Sequence, residues 1–276
     1  MTDLRVEASD PGFAPEGLRF LTVRSRALGQ RADLTLYVPA AAMTLVDVPV
    51  VTLLHGVYGS HWAWAFKGGA HRTAARLLEA GTLPPMVLAM PSDGLWGDGS
   101  GYLPHASQDS ERWIVDEVHA AVLQVVPCCS QRSPRFIAGY SMGGWGALRL
   151  AGKHPGLFRA VSVHSTMTLA SQFDALVSQP RTAWSDAAAD TSAWSALRQS
   201  MGPVPSLRLD CGVDDPYIEA NRELHAQLTH AGIAHDYQEF PGGHDWPYWT
   251  LHLEDSLRFF GAVLSRAASA PAATRG

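Results

Sequence analysis

Short apolar runs alternate along the chain with longer segments whose apolar residues recur at helical spacing. Residues 48–54 (VPVVTLL) form an apolar run that is typical of a strand buried on both faces. Residues 109–126 instead place apolar side chains every three or four positions, which predicts a helix. Strands that alternate with helices predict a mainly parallel sheet with helices on both of its faces.

The other segments extend this pattern into a single α/β domain over residues 1–276. The predicted strands are an opening antiparallel pair at 20–26 and 32–39, followed by 48–54, 86–90, 135–138, 158–163, 207–211 and 234–240. The predicted helices are 71–80, 109–126, 144–152, 217–229 and 246–265. Residues 166–206 are too long for a plain loop, so we expect either a partial lid or packing against the domain. Residues 266–276 are expected to form a flexible tail.

Composition narrows the class of protein. Hydrophobic residues make up 46% of the 276 residues and charged residues 17%, which excludes an intrinsically disordered chain. The net charge of −5 argues against nucleic-acid binding. No apolar run approaches the roughly 18 residues of a membrane span, and no signal peptide is visible. Three cysteines without a CxxC motif predict neither disulfides nor a zinc site. We therefore expect a cytoplasmic protein. The sequence leaves open whether it forms a homo-oligomer.

One motif carries chemistry. Residues 139–144 read GYSMGG, a GxSxG pattern between the predicted strand 135–138 and the predicted helix 144–152. In a sharp strand-to-helix turn the serine hydroxyl projects outward, and the flanking glycines allow close backbone approach. The motif predicts Ser141 as a nucleophile, with a structural Gly–Ser turn as the alternative.

A serine hydroxyl needs a base, and 12 histidines compete for that role. His244 lies in the glycine loop 240–246 (FPGGHDW), between the last predicted strand and the last predicted helix. That loop is at the same edge of the sheet as Ser141. We predict His244 as the base; the alternative is that it caps the last helix.

The acid that orients the histidine should follow the strand 207–211, where the chain reads GVDDP. The GxxD spacing favours Asp215, and Pro216 favours an extended backbone at the residue before it. Asp214 and, more weakly, Asp210 stay open as alternatives.

An acyl-transfer site also needs two N–H donors for the oxyanion. The N–H of Met142, directly after the predicted nucleophile, is the first candidate. The second should come from the loop HGVYGS (55–60) after the strand 48–54. There we choose Val57, with Tyr58 as the second choice.

Aromatic residues crowd the predicted loops and suit flat or apolar groups. As substrate-binding residues we predict Tyr58, Trp62, Trp96, Trp145 and Trp246; packing in the core or lid is the alternative. The loop 90–102 lacks both phosphate-binding glycine patterns, and no HExxH occurs. No cofactor and no metal are predicted.

The segments GYSMGGWGAL (139–148), DCGVDDPYIEANRELHAQL (210–228) and FPGGHDWPYW (240–249) resemble the α/β-hydrolase superfamily. Within it they resemble the esterase D-like family, which includes S-formylglutathione hydrolases, feruloyl and acetylxylan esterases, and mycolyltransferases. The resemblance spans residues 20–260. It implies the α/β-hydrolase fold, a triad of Ser141, Asp215 and His244, no cofactor, and a small-molecule ester or thioester substrate. The loop 55–64 lacks the cysteine that S-formylglutathione hydrolases carry there.

These observations predict a serine esterase that cleaves short-chain acyl or aryl esters through an acyl-enzyme. An acyltransferase with an alcohol acceptor and a thioesterase of the S-formylglutathione hydrolase type stay open. A binding module without activity is a third alternative, which the intact triad positions disfavour.

Overall fold

The computed structural model describes residues 4–179, 184 and 191–269. Within them nine strands form one mixed sheet in the order β1-β2-β3-β5-β4-β6-β7-β8-β9. The strands are β1 Arg5–Ala8, β2 Leu18–Arg24, β3 Arg31–Tyr37, β4 Val50–Leu54, β5 Val87–Pro91, β6 Arg135–Tyr140, β7 Ala160–His164, β8 Ser206–Gly212 and β9 His235–Phe240. Strands β1, β2, β3 and β5 pair antiparallel, and all further pairs are parallel.

Helices cover both faces of the sheet. They are α1 Ala63–Phe66, α2 Ala70–Glu79, α3 Ser110–Arg112, α4 Val118–Val125, α5 Met142–Lys153, α6 Ala193–Arg198, α7 Ile218–His230 and α8 Trp246–Ser269. A π-helical segment, Trp113–Glu117, joins α3 to α4. Short 3-10 helices lie at Pro15–Gly17, Ala40–Thr44 and Ala170–Ala175.

The central strands are buried throughout because each face of the sheet has its own hydrophobic core. Along β4, Val50 and Leu54 belong to the core under α4 to α7, and Val51 and Leu53 to the core under α1, α2 and α8. Successive side chains of a strand point to opposite faces, so a strand between two cores must be apolar at nearly every position. The predicted doubly covered sheet is confirmed.

The differences from the predicted elements have local causes. Strand β1 was not predicted, because most of its side chains are exposed and it carries no apolar alternation. The predicted helix 109–126 contains the π-helical segment, which the periodicity does not reveal. Helix α5 begins at Met142 and not at 144, so Gly143 and Gly144 lie inside its first turn, while Gly139 lies in β6.

The segment 166–206 is described only in part. It contains the 3-10 helix Ala170–Ala175 and α6, which packs against α5 so closely that a Cβ on Gly152 would overlap Ala196 O. Residues 180–183 and 185–190 lie outside the described residues. Helix α8 continues to Ser269, into the predicted tail, and residues 270–276 again lie outside the described residues.

Two further expectations concern the cysteines and the possibility of a membrane-spanning helix. Cys128, Cys129 and Cys211 are buried free thiols, so the predicted absence of disulfides holds for all three. Within the described ranges, none of the helices combines the length and the apolar character needed to cross a bilayer.

A buried charge cluster joins α3 to α5. The Arg149 side chain is fully buried and donates to the carboxylate of Glu111 and to the carbonyl of Tyr102. His154 and Lys153 also contact that carboxylate, at 2.8 and 3.0 Å. Burial by itself would raise the pKa of Glu111, but the hydrogen bond from His154 and the charge of Arg149 hold it well below its ordinary value of 4.5.

We predict that Glu111→Gln lowers the free energy of unfolding by about 3 kcal/mol at neutral pH, because it leaves the buried Arg149 guanidinium uncompensated. A carboxyl group whose pKa is lower in the folded than in the unfolded state stabilises the fold at pH values above its unfolded pKa. This stabilisation decreases as the pH falls from the unfolded pKa through the folded pKa. The difference between the variant and the wild type should therefore narrow below pH 4.5. Urea unfolding from pH 7 to pH 3.5 measures both effects.

The matched control is Glu219→Gln, which breaks an exposed pair with Arg222. That change should cost less than about 1 kcal/mol. An equal loss in both variants would contradict the special role of the buried cluster.

Candidate active site

Ser141 occupies a sharp turn between β6 and α5. Its φ of 54° and ψ of −120° lie in a region that side chains rarely adopt. Three backbone hydrogen bonds hold the turn: Ser141 N donates to His164 O at 3.1 Å, and Trp145 N and Met167 N donate to Ser141 O at 3.1 and 3.2 Å. Ser141 is thereby held at the carboxyl edge of the parallel strands, as the motif predicts.

The glycines of the motif permit backbone contact between α5 and the sheet. A Cβ on Gly139 would overlap the backbone of Gly143, and a Cβ on Gly143 would overlap the carbonyl of Leu54 at the end of β4. A third glycine, Gly144, lies against the side chain of Thr166. The close backbone approach that the sequence predicts is confirmed at Gly139 and Gly143.

His244 and Asp215 complete a hydrogen-bonded chain that begins at Ser141. His244 Nε2 lies 3.0 Å from Ser141 Oγ, and His244 Nδ1 lies 2.8 Å from Asp215 Oδ2. Ser141, His244 and Asp215 follow the ends of β6, β9 and β8, respectively. Ser141 and His244 are 103 residues apart in the sequence. The structure thus brings together the three residues that the sequence singled out.

The environment of His244 orients its ring. The ring meets Tyr217 and Trp249 edge to face, with centroid separations of 5.0 Å in both cases. Asp215 is 2% exposed, and its Oδ1 accepts a hydrogen bond from Tyr217 N at 2.8 Å. Asp214, the alternative acid, is exposed and contributes only a backbone hydrogen bond to Gly242.

The two residues predicted to supply the oxyanion donors have side chains near the same glycine. A Cβ on Gly99 would come within 2.8 Å of Met142 Sδ and 3.4 Å of Val57 Cγ2, so both side chains pack against one glycine. Met142 is the first residue of α5, where backbone N–H groups have no partner within the helix. The N–H of Tyr58, the second choice, donates to Asp98 O at 3.3 Å, which favours Val57.

Ser141 opens into a cavity of about 440 Å³. The cavity is lined by Val57, Tyr58, Gly59, Trp62, Ala63, Lys67, Tyr140, Ser141, Leu176, His244, Asp245, Trp246 and Trp249. Three of the predicted substrate-binding residues, Tyr58, Trp62 and Trp246, are in this wall. Tyr58 and Trp62 are 73% and 40% exposed, as befits an open rim.

Two of the predicted substrate-binding residues do not line this cavity. Trp145 is fully buried on the core side of α5 and packs against Phe173. It lies four residues after Ser141, one helical turn in, and points away from the cavity. Trp96 stacks on His105 at 3.9 Å between ring centroids and meets Trp184, whose ring also contacts Phe173. Both side chains pack against other aromatic rings in the structure, and their role in substrate binding stays a prediction.

A second Ser–His–Asp arrangement, absent from the sequence-based predictions, lies buried under the site. Asp210 Oδ2 lies 2.8 Å from His164 Nδ1, and His164 Nε2 lies 2.9 Å from Ser256 Oγ. Arg208 and Tyr248 also donate to the Asp210 carboxylate. The signal was available in the sequence, since polar residues recur at spacing two in two otherwise apolar strands: Ser162 and His164 in β7, and Ser206, Arg208 and Asp210 in β8.

Charge in this buried arrangement is balanced locally. Burial by itself would raise the pKa of Asp210, but the charges of His164 and Arg208 hold it below the ordinary value. Asp210 therefore serves this internal cluster and not His244, which removes it as a candidate for the third triad position.

Two tyrosines near the site stay protonated. Burial raises the pKa of Tyr140 to about 12, and burial together with the charge of Asp215 raises that of Tyr217. Neither phenol adds a negative charge beside His244 at neutral pH. Across the part of the chain that the structure describes, no group of three His, Cys, Asp or Glu side chains could hold a metal ion.

Comparison with known proteins identifies the family of the chain. The model of the Putative esterase family matches residues 25–260. An acetyl esterase of Caldicellulosiruptor saccharolyticus is 26% identical over 236 residues, which cover 79% of this chain and 85% of that protein. The structure of a ferulic acid esterase is similar, with a TM-score of 0.73, 22% identity, and coverage of 95% of this chain and 100% of that one. An S-formylglutathione hydrolase of Staphylococcus aureus gives a TM-score of 0.74 at 21% identity, covering 92% and 98%.

The mixed sheet, with a serine in a strand-to-helix turn at its carboxyl edge, defines an α/β-hydrolase. The two similar structures show the fold alone. The match to the family model also identifies the family. The chain belongs to this esterase family, and it is a carboxylic ester hydrolase. The resemblance read from the motifs is confirmed.

We predict that Gly143→Ala lowers the free energy of unfolding by about 3 kcal/mol, because its Cβ would overlap a backbone carbonyl that cannot move alone. The control is Gly261→Ala, also inside a helix, whose Cβ would only touch Leu83 and Pro84 at 3.4 Å. That change should be neutral or stabilise by up to about 1 kcal/mol. Chemical denaturation of both variants measures the change in the free energy of unfolding. Equal changes would contradict the explanation by close backbone approach.

Proposed function

We propose that the protein hydrolyses esters through a Ser141–His244–Asp215 triad and an acyl-enzyme intermediate. The observation that carries this proposal is the continuous hydrogen-bonded chain from Asp215 Oδ2 through His244 to Ser141 Oγ, which ends in an open cavity. A hydroxyl becomes a useful nucleophile only when an adjacent base can take its proton.

In the acylation step His244 Nε2 accepts the hydroxyl proton while Ser141 Oγ attacks the ester carbonyl. Asp215 holds the ring through Nδ1–H and stabilises the imidazolium that forms. The N–H groups of Met142 and Val57 stabilise the negative charge that develops on the carbonyl oxygen. When the tetrahedral intermediate collapses, the ester C–O bond breaks, and the leaving oxygen takes the proton from His244 and departs as the alcohol.

Deacylation repeats the same steps with water. His244 removes a proton from a water molecule that attacks the acyl carbonyl, and the acid leaves as Ser141 regains its proton. An alcohol could take the place of this water without any change in the triad. Hydrolysis is the stated reaction because the family match and the curated relative both concern esterases.

The cavity supports a small substrate. A volume of about 440 Å³ lies near the lower end of the range for small-molecule sites. The indole rings of Trp62, Trp246 and Trp249 offer flat apolar surface. We infer short-chain acyl or aryl esters as substrates, in agreement with the acetyl esterase among the relatives.

We also infer that segment 166–206 acts as a partial lid. Leu176 contributes to the cavity wall, and Tyr58 donates its phenol hydrogen to Leu176 O at 3.1 Å. In a second hydrogen bond, Ser178 N donates to Asp98 Oδ2 at 2.7 Å. The described part of the segment is therefore attached to two loops at the rim of the cavity.

The first test is Ser141→Ala. We expect turnover of 4-nitrophenyl acetate to fall at least about 10⁴-fold, because the attacking oxygen is removed while the fold is kept. A fluorophosphonate should add to the wild-type protein once and not add to the variant, as intact mass will show. Undiminished turnover by a folded variant would overturn the proposal.

The choice between the two neighbouring acids can be tested separately. Asp215→Asn should lower kcat by about 10³- to 10⁴-fold, because the amide cannot stabilise the imidazolium. Asp214→Asn, at an exposed position beside it, should stay within about threefold of the wild type. Reversal of this order would assign the role to Asp214.

A further inference from the structure

A lysine is part of the wall of the cavity into which Ser141 opens. Lys67 directly follows α1 and lines the same space as His244 and Trp246. Among the described residues of that wall, it is the one with a permanent positive charge. The chain has only two lysines; the other, Lys153, contacts Glu111 in the buried cluster described above.

The backbone around Lys67 is held in place. Lys67 N donates to Ala63 O at 2.9 Å, which closes the last turn of α1. The next residue, Gly68, lies so near Trp246 that a Cβ would come within 2.8 Å of the indole ring. Lys67 Nζ lies 5.9 Å from the centroid of that ring, within the range of a cation–π contact. The ammonium is thus directed along the aromatic wall of the cavity.

The acidic groups near this ammonium do not neutralise it. In the part of the chain that the structure describes, no carboxylate lies within 4.0 Å of Lys67 Nζ. The one acid in the described wall is Asp245, whose Oδ1 accepts from Tyr248 N at 3.0 Å and so caps α8. Asp215 is committed to His244.

We propose that Lys67 binds a carboxylate carried by the substrate, so that the enzyme prefers an anionic ester to its neutral counterpart. The proposal rests on the function proposed above, and it specifies that the preferred substrate carries a negative charge. Lys67 is exposed while it lines the cavity, so its ammonium is accessible to a carboxylate that enters there. The net charge of −5 repels anions at long range, which makes a local cation the decisive attraction.

The carboxylate could belong to the acyl part or to the alcohol part of the ester, and two matched pairs of substrates distinguish these. In the acyl pair, the 4-nitrophenyl monoester of glutaric acid is compared with 4-nitrophenyl pentanoate, which has a methyl in place of the carboxylate. In the alcohol pair, 4-acetoxybenzoate is compared with 4-acetoxybenzamide. The readout is the ratio of kcat/KM between the anionic and the neutral member, after subtraction of spontaneous hydrolysis.

We expect Lys67→Met to lower this ratio about five- to tenfold in at least one pair, and that pair assigns the side of the ester. Lys67→Arg should keep the ratio within about twofold, because it keeps the charge. Added salt should lower the ratio of the wild type and leave that of Lys67→Met nearly constant.

The control for net charge is Arg5→Met, which removes one positive charge from the exposed edge strand β1. It should leave both ratios at the wild-type value. A ratio that is unchanged in Lys67→Met for both pairs, or lowered equally by Arg5→Met, would overturn the proposal. Failure of the proposed function is a different result, namely turnover of the neutral esters that survives Ser141→Ala.

Discussion

The contact between helix α5 and the backbone of strand β4 is the constraint on which the rest of the site depends. Gly143 lies against the carbonyl of Leu54 and Gly139 lies against Gly143, at distances that leave no room for a side chain. This approach brings the first turn of the helix directly over the edge of the sheet. Ser141 consequently takes its strained backbone conformation, which the surrounding hydrogen bonds from both sides maintain.

A second backbone contact sets the other half of the site. A Cβ on Gly212 would overlap the carbonyl of Gly242, so the loop that carries Asp215 touches the loop that carries His244. Asp214 N donates to the same carbonyl, and the Tyr248 ring packs against Gly242. The acid and the base are therefore aligned by main-chain packing, and their side chains have only to meet across a short gap.

The sequence was most informative where backbone geometry demands particular residue types. Parallel strands between two cores must be apolar, and the turn at Ser141 must have glycines beside it, so both were predictable. The wall of the cavity was less so, because it depends on which way each aromatic side chain points. Trp145 and Trp246 look alike in sequence, yet one packs on Phe173 and the other lines the cavity into which Ser141 opens. The short exposed strand β1 has no apolar pattern and could not be recognised.

The buried Asp210–His164–Ser256 arrangement shows what a constellation of side chains does not determine by itself. Its two hydrogen bonds, 2.8 and 2.9 Å, match those of the Asp215–His244–Ser141 chain within 0.1 Å. A template built on these two distances alone would not separate the two arrangements. All three buried side chains are closed off from solvent, so no carbonyl carbon can reach the Ser256 oxygen. Reactivity in this molecule is decided by accessibility, and templates that ignore it will report false catalytic centres.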